Sequence, residues 1–333
     1  MKRDNEGMRS KKQFVNCNLC RSNNYKNLYT KFGLNLVLCK HCKLVYANPR
    51  LPESDILKRY DSSLYFEEYL KALKATSTTY DLDSIRSHYY IFGGLVDKCF
   101  APGKRLLDVG SGAGFFLKVA EEIGWKAEGI EISKLASDYA KDVLKVNVHN
   151  RKLEDIRFSS DSYDLVTLLD LIEHLTDPLR TLEEIYRVQK RDGLVIVSTP
   201  DFKSLSRMFL GKHWSILSPA EHLYNFSEKT LYHMLSKVNF KVLGIRNLLI
   251  FNPEYTHDKS RYRYQLWNKT HEYLEKKTFM ENIHGFEYLD LMQIVDSNRQ
   301  ATASSEFKKK KRALYKKAKK WLRGDLLIAI AKK

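Results

Sequence analysis

Residues 106–131 read LLDVGSGAGFFLKVAEEIGWKAEGIE, and the spacing inside that stretch sets the fold. The short apolar run Arg105–Val109 leads into three glycines at alternate positions, Gly110, Gly112 and Gly114, and then into an apolar-periodic segment through Phe116, Leu117 and Ala120. This is a strand, a tight glycine turn and a helix. Glycines let the backbone approach a ligand with no Cβ in the way, and the first helical turn aims its free N–H groups at the same place. A second apolar run, residues 127–132, sets Glu131 at a strand end about 20 residues on, where a carboxylate can accept both ribose hydroxyls of a nucleoside. The unit is expected to bind something carrying adenosine. A dinucleotide site wants G-x-G-x-x-G, whereas position 115 is Phe and the string from Asp108 to Gly114 is D-x-G-x-G-x-G.

Beyond Glu131 strands and helices alternate. Residues 135–144 have helical spacing, 146–148 form a short strand, and 163–169 make a nearly continuous apolar run, typical of a strand buried on both faces. Asp177-Pro178 opens a helix to about Gln189, residues 194–199 are another buried strand, 230–238 a helix and 240–250 a strand. That rhythm predicts a doubly wound α/β sheet, whose ligands bind outside the carboxyl ends of its strands. Asp108, Glu131, Asp170 and Pro200 all fall at such ends. Upstream, residues 53–100 are helically spaced and aromatic, with Tyr60, Tyr65 and Tyr69 among them, and read as one or two helices that lead in to the main domain or cap its cleft, up to Pro102-Gly103. Downstream, 255–320 are charged and mainly helical, and 324–333, GDLLIAIAKK, return to strand character.

Near the start, Cys17 and Cys20, then 18 residues, then Cys39 and Cys42 give a C-x2-C, C-x2-C pattern. Four thiolates so spaced close a tetrahedral zinc site of the ribbon type. With sulfur in every position no site is open for water, so this Zn2+ is expected to be structural; His41 is a bystander. Few other cysteines in a chain of 333 residues argue against a disulfide framework.

With 43% hydrophobic residues the chain can bury a sizeable core. It has no apolar run of about 18 residues, and its first residues lack an apolar signal core, so neither a membrane span nor secretion is expected. A cytoplasmic protein is the reading, with peripheral attachment to the inner membrane face as the variant. The net charge is +17, from 57 basic against 40 acidic residues. Ten of the basic side chains lie in residues 307–323, so charge elsewhere is moderate and nucleic acid is a weak expectation. That segment reads as a solvated helix face, or as a contact for a membrane surface or polyanion.

The glycine string, with its strand, helix and Glu131, resembles motif I of the class I S-adenosylmethionine-dependent methyltransferases. The resemblance implies a Rossmann-like sheet closed by an antiparallel last strand at 324–333, with 255–320 inserted before it. The division that follows is a zinc ribbon over 13–52, a helical lead-in or cap over 53–100 and the methyltransferase domain over 101–333. The implied cofactor is S-adenosylmethionine. Asp108 would sit near its methionine end, Gly110, Ser111, Gly112 and Gly114 along the turn, Glu131 and Ile132 at the ribose, Asp155 in the LEDIRF string near the adenine amino group, and Asp170 along the same edge.

Methyl transfer also needs a placed acceptor and a base for its proton. Two strings offer one: LLDLIEHLTDP, with Asp170, Glu173 and His174, and SPAEHLYNFS, with Glu221 and His222. Histidine titrates near neutrality and an adjacent carboxylate can fix its tautomer. Together with the ribbon, Asn48-Pro49-Arg50, the STPD strand end at Ser198–Asp201 and the pattern from Trp214 to Ser227, these strings resemble a bacterial methyltransferase group tied to sugar and cell-surface polysaccharide modification. Zinc-bearing sugar C-methyltransferases in that group place a Glu-His pair where Glu221 and His222 stand. The chain is expected to lack their extra C-terminal domain, so O-methylation of a sugar, glycan or small-molecule hydroxyl is the expected reaction, with His222 as base and His174 in reserve. The rival enzyme is an rRNA or tRNA methyltransferase, though no Asn-Pro-Pro-Tyr-like string follows the fourth strand to grip an extruded base. The non-enzymatic rival is a zinc- and nucleoside-binding scaffold or sensor.

Overall fold

The computed structural model describes residues 12–248 and 325–333. The proposed insertion at 255–320 and the basic run at 307–323 lie outside the described residues. Chain order gives β1 (Tyr25–Lys31), β2 (Leu34–Cys39), β3 (Val45–Ala47), α1 (Glu53–Tyr60), α2 (Ser63–Ala72), α3 (Leu82–His88), α4 (Tyr90–Cys99), β4 (Arg105–Val109), α5 (Phe115–Ile123), β5 (Lys126–Ile130), α6 (Lys134–Tyr139), β6 (Val148–His149), β7 (Tyr163–Leu168), α7 (Pro178–Val188), β8 (Gln189–Pro200), α8 (Leu205–Leu210), β9 (Tyr224–Asn225), α9 (Glu228–Lys237), β10 (Lys241–Leu248) and β11 (Leu326–Lys332).

The main sheet runs β10-β11-β8-β7-β4-β5-β6. Strands β4 to β8 are parallel, while β11 is antiparallel to β8 and to β10. The order reverses at β4, so the carboxyl ends of β4, β5 and β7 open onto one crevice, where ligands of doubly wound sheets bind. Helices cover both faces. Along the strands the pleat sends alternate residues to opposite cores. Leu107, Val166, Val195, Val197, Leu327 and Ala329 join one cluster, and Leu106, Leu165, Leu194, Ile196, Ile328 and Ile330 the other. Burial on both faces is why these strands read as unbroken apolar runs.

The cysteine-bearing segment shares its core and its sheet with the rest of the molecule. Its three strands pair with β9 in the order β1-β2-β3-β9, Val45 opposite Asn225 and Tyr46 opposite Tyr224. Cys17, Leu34 and Tyr46 are buried in the same cluster as Trp214 and the inner face of α7. Residues 53–100 form four short helices and not one or two. Asp81 marks one of the breaks missed in the sequence: its side chain caps α3 by accepting the amides of Asp83 (3.0 Å) and Ser84 (3.3 Å). β8 starts at Gln189, earlier than its apolar run, because the polar residues 190–193 are carried through a register shift between Tyr163 and Leu165.

Candidate active site

Gly110 and Gly112 adopt φ of 76° and 54°, left-handed values that favour glycine. A Cβ at Gly110 would fall 2.7 Å from Leu171 Cδ1, and one at Gly112 would fall 2.7 Å from Tyr69 Oη. The turn is thus roofed by a side chain from α2 and bounded by the loop after β7. Gly114 has another task. A Cβ there would lie 2.6 Å from Val146 Cγ2 and 3.0 Å from Ala140 Cβ, so its smallness lets α5 pack on the segment after α6, and it does not line the cleft.

Glu131 closes the turn from β5. Its Oε2 accepts the Gly112 amide at 2.9 Å and its Oε1 the Ser133 amide at 2.7 Å. Each oxygen retains a lone-pair direction for a ligand hydroxyl. Burial pushes the carboxyl pKa up, and these amides pull it down.

Asp108 is 3% exposed at the end of β4, and its Oδ1 accepts the Thr167 hydroxyl at 2.6 Å. Burial, added to by the charge of Glu131, raises its pKa from 3.8 to about 7. A carboxyl raised in this way contributes its stability fully below pH 3.8 and loses it as pH rises through about 7. The cofactor-free Asp108→Asn protein should therefore melt higher than the parent at pH 8, by more than at pH 6, and should bind the cofactor more weakly. Thermal melts at both pH values, with and without cofactor, check this.

These residues line a cleft of about 590 Å³. Asp108, Gly110, Ser111, Gly112, Glu131, Ile132 and Asp155 line it, with Tyr60, Tyr65, Phe66 and Tyr69 from α1 and α2 and with Asp170 and His174 from the stretch after β7. Asp170 has φ 50°, a position short polar side chains tolerate. Its amide is held by Ser198 Oγ at 2.9 Å, and that hydroxyl donates to Asp170 Oδ1 at 2.8 Å.

Past Asp170 the chain brings the two histidine strings together. His174 and His222 stack edge to face with ring centroids 4.6 Å apart. His174 lines the cleft and His222 is not among the lining residues. Burial lowers both ring pKa values; at His174 the neighbouring His222 adds to the drop and the Glu221 carbonyl opposes it, while at His222 the Glu221 carboxylate and the Ile216 carbonyl oppose it. Neither carboxylate fixes the tautomer of the histidine next to it in sequence. Glu173 Oε1 stands 4.0 Å from His174 Nε2, too far for a hydrogen bond. Glu221 is ion-paired instead to Arg59 of α1. The group that orients His174 is the Glu221 main-chain carbonyl, 3.1 Å from Nδ1, with Tyr60 Oη at 2.9 Å from the same nitrogen. A carbonyl only accepts, so Nδ1 carries the proton and Nε2 the lone pair.

Arg59 and the tautomer-setting carbonyl are invisible in the sequence, since both act across more than 40 positions. Tyr60 and Tyr69 are flagged there only as part of an aromatic-rich segment.

The four cysteine sulfurs lie within 4.8 Å of one another, with Cys17 and Cys42 at 3.4 Å and Cys20 and Cys39 at 3.5 Å. Those separations exceed a disulfide bond and fit the edge of a tetrahedron around one thiophilic cation. From this cluster the connection to the cleft is short. Asn18 donates to Asp177 Oδ1 (2.8 Å) and accepts the Leu179 amide (3.2 Å); Ala47 N donates to the Leu223 carbonyl (2.8 Å) and Tyr224 N to the Glu173 carbonyl (3.1 Å).

The family model described as "Methyltransferase domain" matches residues 84–244. The ubiquinone biosynthesis O-methyltransferase of Coxiella burnetii (strain Dugway 5J108-111) is 27% identical over 132 residues, 38% of this chain and 54% of that one. The ubiquinone/menaquinone biosynthesis C-methyltransferase UbiE of Geotalea daltonii is 32% identical over 126 residues, 33% of this chain and 52% of that one. The chain spans about half the length of these curated relatives. Among solved structures, the cyclase SpnF superposes with a TM-score of 0.51 at 16% identity, covering 86% of this chain and 97% of its own, a likeness of fold alone. No helix among the described residues is long and apolar enough to cross a membrane. The match spans the glycine turn, Glu131 and both histidine strings: the chain carries a class I, S-adenosylmethionine-dependent methyltransferase domain.

Proposed function

We propose that the protein methylates a hydroxyl oxygen of a small polyhydroxylated acceptor, a sugar or glycan being the class that the sequence resemblance suggests, with the acceptor seated at the Asp170–His174 end of the cleft. Bound S-adenosylmethionine supplies an electrophilic methyl on a sulfonium. The chain's own residues do the rest. Glu131 holds the ribose through the lone pairs left free by its two amide donors, Gly112 lets the backbone come close, and buried Asp108 faces the cationic methionine end. Tyr60 and Tyr69 roof the cleft and exclude water.

The observation that carries the reading is the lone pair on His174 Nε2, set by the proton on Nδ1, on a ring that lines the cleft. It can take a hydroxyl proton as the oxygen is methylated. His222, expected from the sequence to be the base, supports that ring from behind. The relatives named above methylate at oxygen and at carbon and do not decide between them. The four-cysteine cluster is assigned a structural zinc ion, because its donor set is closed.

His174→Ala should lower kcat for methyl transfer by about 10²-fold or more while changing cofactor affinity by less than about 2-fold. Full turnover in that variant, measured with methyl-labelled cofactor, would remove His174 from the reaction.

A further inference from the structure

We propose that Glu173, His174 and His222 form a second metal site, for one divalent transition cation, separate from the four cysteines. One donor atom from each of the three lies within 4.8 Å of the others. The donors also lack other partners. Glu173 is 1% exposed; its Oε2 accepts the Thr199 hydroxyl at 2.8 Å, but its Oε1 is buried with no hydrogen-bond partner. Nδ1 of His222 is likewise buried and unpartnered. His174 Nε2 holds a lone pair, because the Glu221 carbonyl requires the proton on Nδ1.

Buried polar atoms that converge with no hydrogen-bond partner are an arrangement a folded core avoids. A shared cation resolves it. Nitrogen and oxygen ligands sit about 2.0–2.2 Å from such an ion, so two of them across it stand up to roughly 4.2 Å apart, and Glu173 Oε1 and His174 Nε2 are 4.0 Å apart. A side-chain adjustment under about 1 Å brings the third within reach. Two imidazoles and one carboxylate suit Zn, Co, Ni, Fe or Mn better than a soft ion such as Cu(I). The Glu221 carbonyl on His174 and the Thr199 hydroxyl on Glu173 are the outer hydrogen bonds that orient such ligands.

Three protein ligands leave coordination positions open toward the cleft through His174. The ion's role rests on the methyl-transfer reading, whereas its binding does not. An acceptor hydroxyl bound there ionises more readily. Its proton leaves to water, the new C–O bond forms as the C–S bond of the donor breaks, and the sulfonium charge is discharged without any oxidant. In the metal-bound protein the His174 lone pair ligates the ion and the proton passes to water, while in the metal-free protein that lone pair remains the base; acceptors with two adjacent oxygens bind the metal-bound form best.

The test is a titration of the full chain, with zinc in its cysteine site, by Co2+. One Co2+ per chain should bind with weak visible d–d absorption, no thiolate charge-transfer band and no release of zinc. Its affinity should fall at least 10-fold in both Glu173→Gln and His222→Gln, with melting curves showing both folded. Should Glu173→Gln not fold, His222→Gln decides, since it leaves the Glu173–Thr199 bond in place. No uptake beyond the ribbon zinc, uptake only with zinc release and thiolate bands, or unchanged affinity in the variants would overturn the proposal. Methyl transfer that persists fully in chelated protein retaining only the ribbon zinc would overturn the role given to the ion and leave the transfer reading standing. Cobalt binding without transfer to any hydroxyl acceptor would keep the site and remove that reading.

Discussion

Glu131→Ala is expected to weaken S-adenosylmethionine binding by roughly 10²-fold or more, the largest loss from any single cofactor-site substitution. The carboxylate has two tasks at once. It accepts the amides of Gly112 and Ser133 at 2.9 and 2.7 Å, and its remaining lone pairs are those assigned to the ribose. Hydrogen bonds to charged groups are worth about 1.5–3 kcal/mol each, and an amide left without an acceptor in a buried turn costs about as much again. Gln keeps one acceptor oxygen and so should lose less than Ala. Calorimetric titration with the cofactor and with its demethylated product checks the ranking, and equal affinity in all three proteins would refute the role given to this residue.

Cys17→Ser, or removal of the ribbon metal, should abolish methyl transfer and lower the melting temperature by at least about 10 °C. Structural zinc sites contribute on the order of 10 kcal/mol to the fold that holds them. Here the ribbon is not an appendage. β3 pairs with β9 two residues after His222, Ala47 binds the Leu223 carbonyl, and Lys31 of β1 donates to the Trp214 carbonyl at 3.0 Å. Asn18, next to Cys17, holds the first turn of α7. Loosening the cluster releases the loop that carries Glu221 and His222 and shifts the carbonyl that orients His174. Melting curves and turnover with and without a thiol-competing chelator measure both effects. A metal-free protein that melts and turns over like the parent would show that the ribbon positions nothing.

The sheet was legible because its strands are buried on both faces, so the apolar runs at 163–169 and 194–199 stand out without any need for alternation. The glycine turn was legible because Gly110, Gly112 and Glu131 are fixed by local geometry. The acceptor end was legible as two strings and not as an arrangement. Each string pairs a glutamate with a histidine, which invites a local carboxylate–histidine pair, yet Glu221 reaches Arg59 and Glu173 reaches Thr199. What joins His174 to His222 is the meeting of the loop after β7 with the loop before β9, and β9 is placed by the ribbon strand β3. No sequence spacing encodes that. The four short helices over 53–99 were blurred for a related reason: their breaks at Asp61-Ser62 and Asp81 carry ordinary polar residues, with no glycine or proline to announce them.

Incubation of the full-length protein with methyl-labelled S-adenosylmethionine and a panel of nucleotide sugars, free glycans and vicinal-diol phenols, followed by product isolation and assignment of the labelled methyl by NMR, bears most directly on the function. The account predicts a label on an acceptor oxygen, and its loss in His174→Ala under saturating cofactor. A label on carbon or nitrogen, or tight cofactor binding with no transfer to any hydroxyl in the panel, would contradict it.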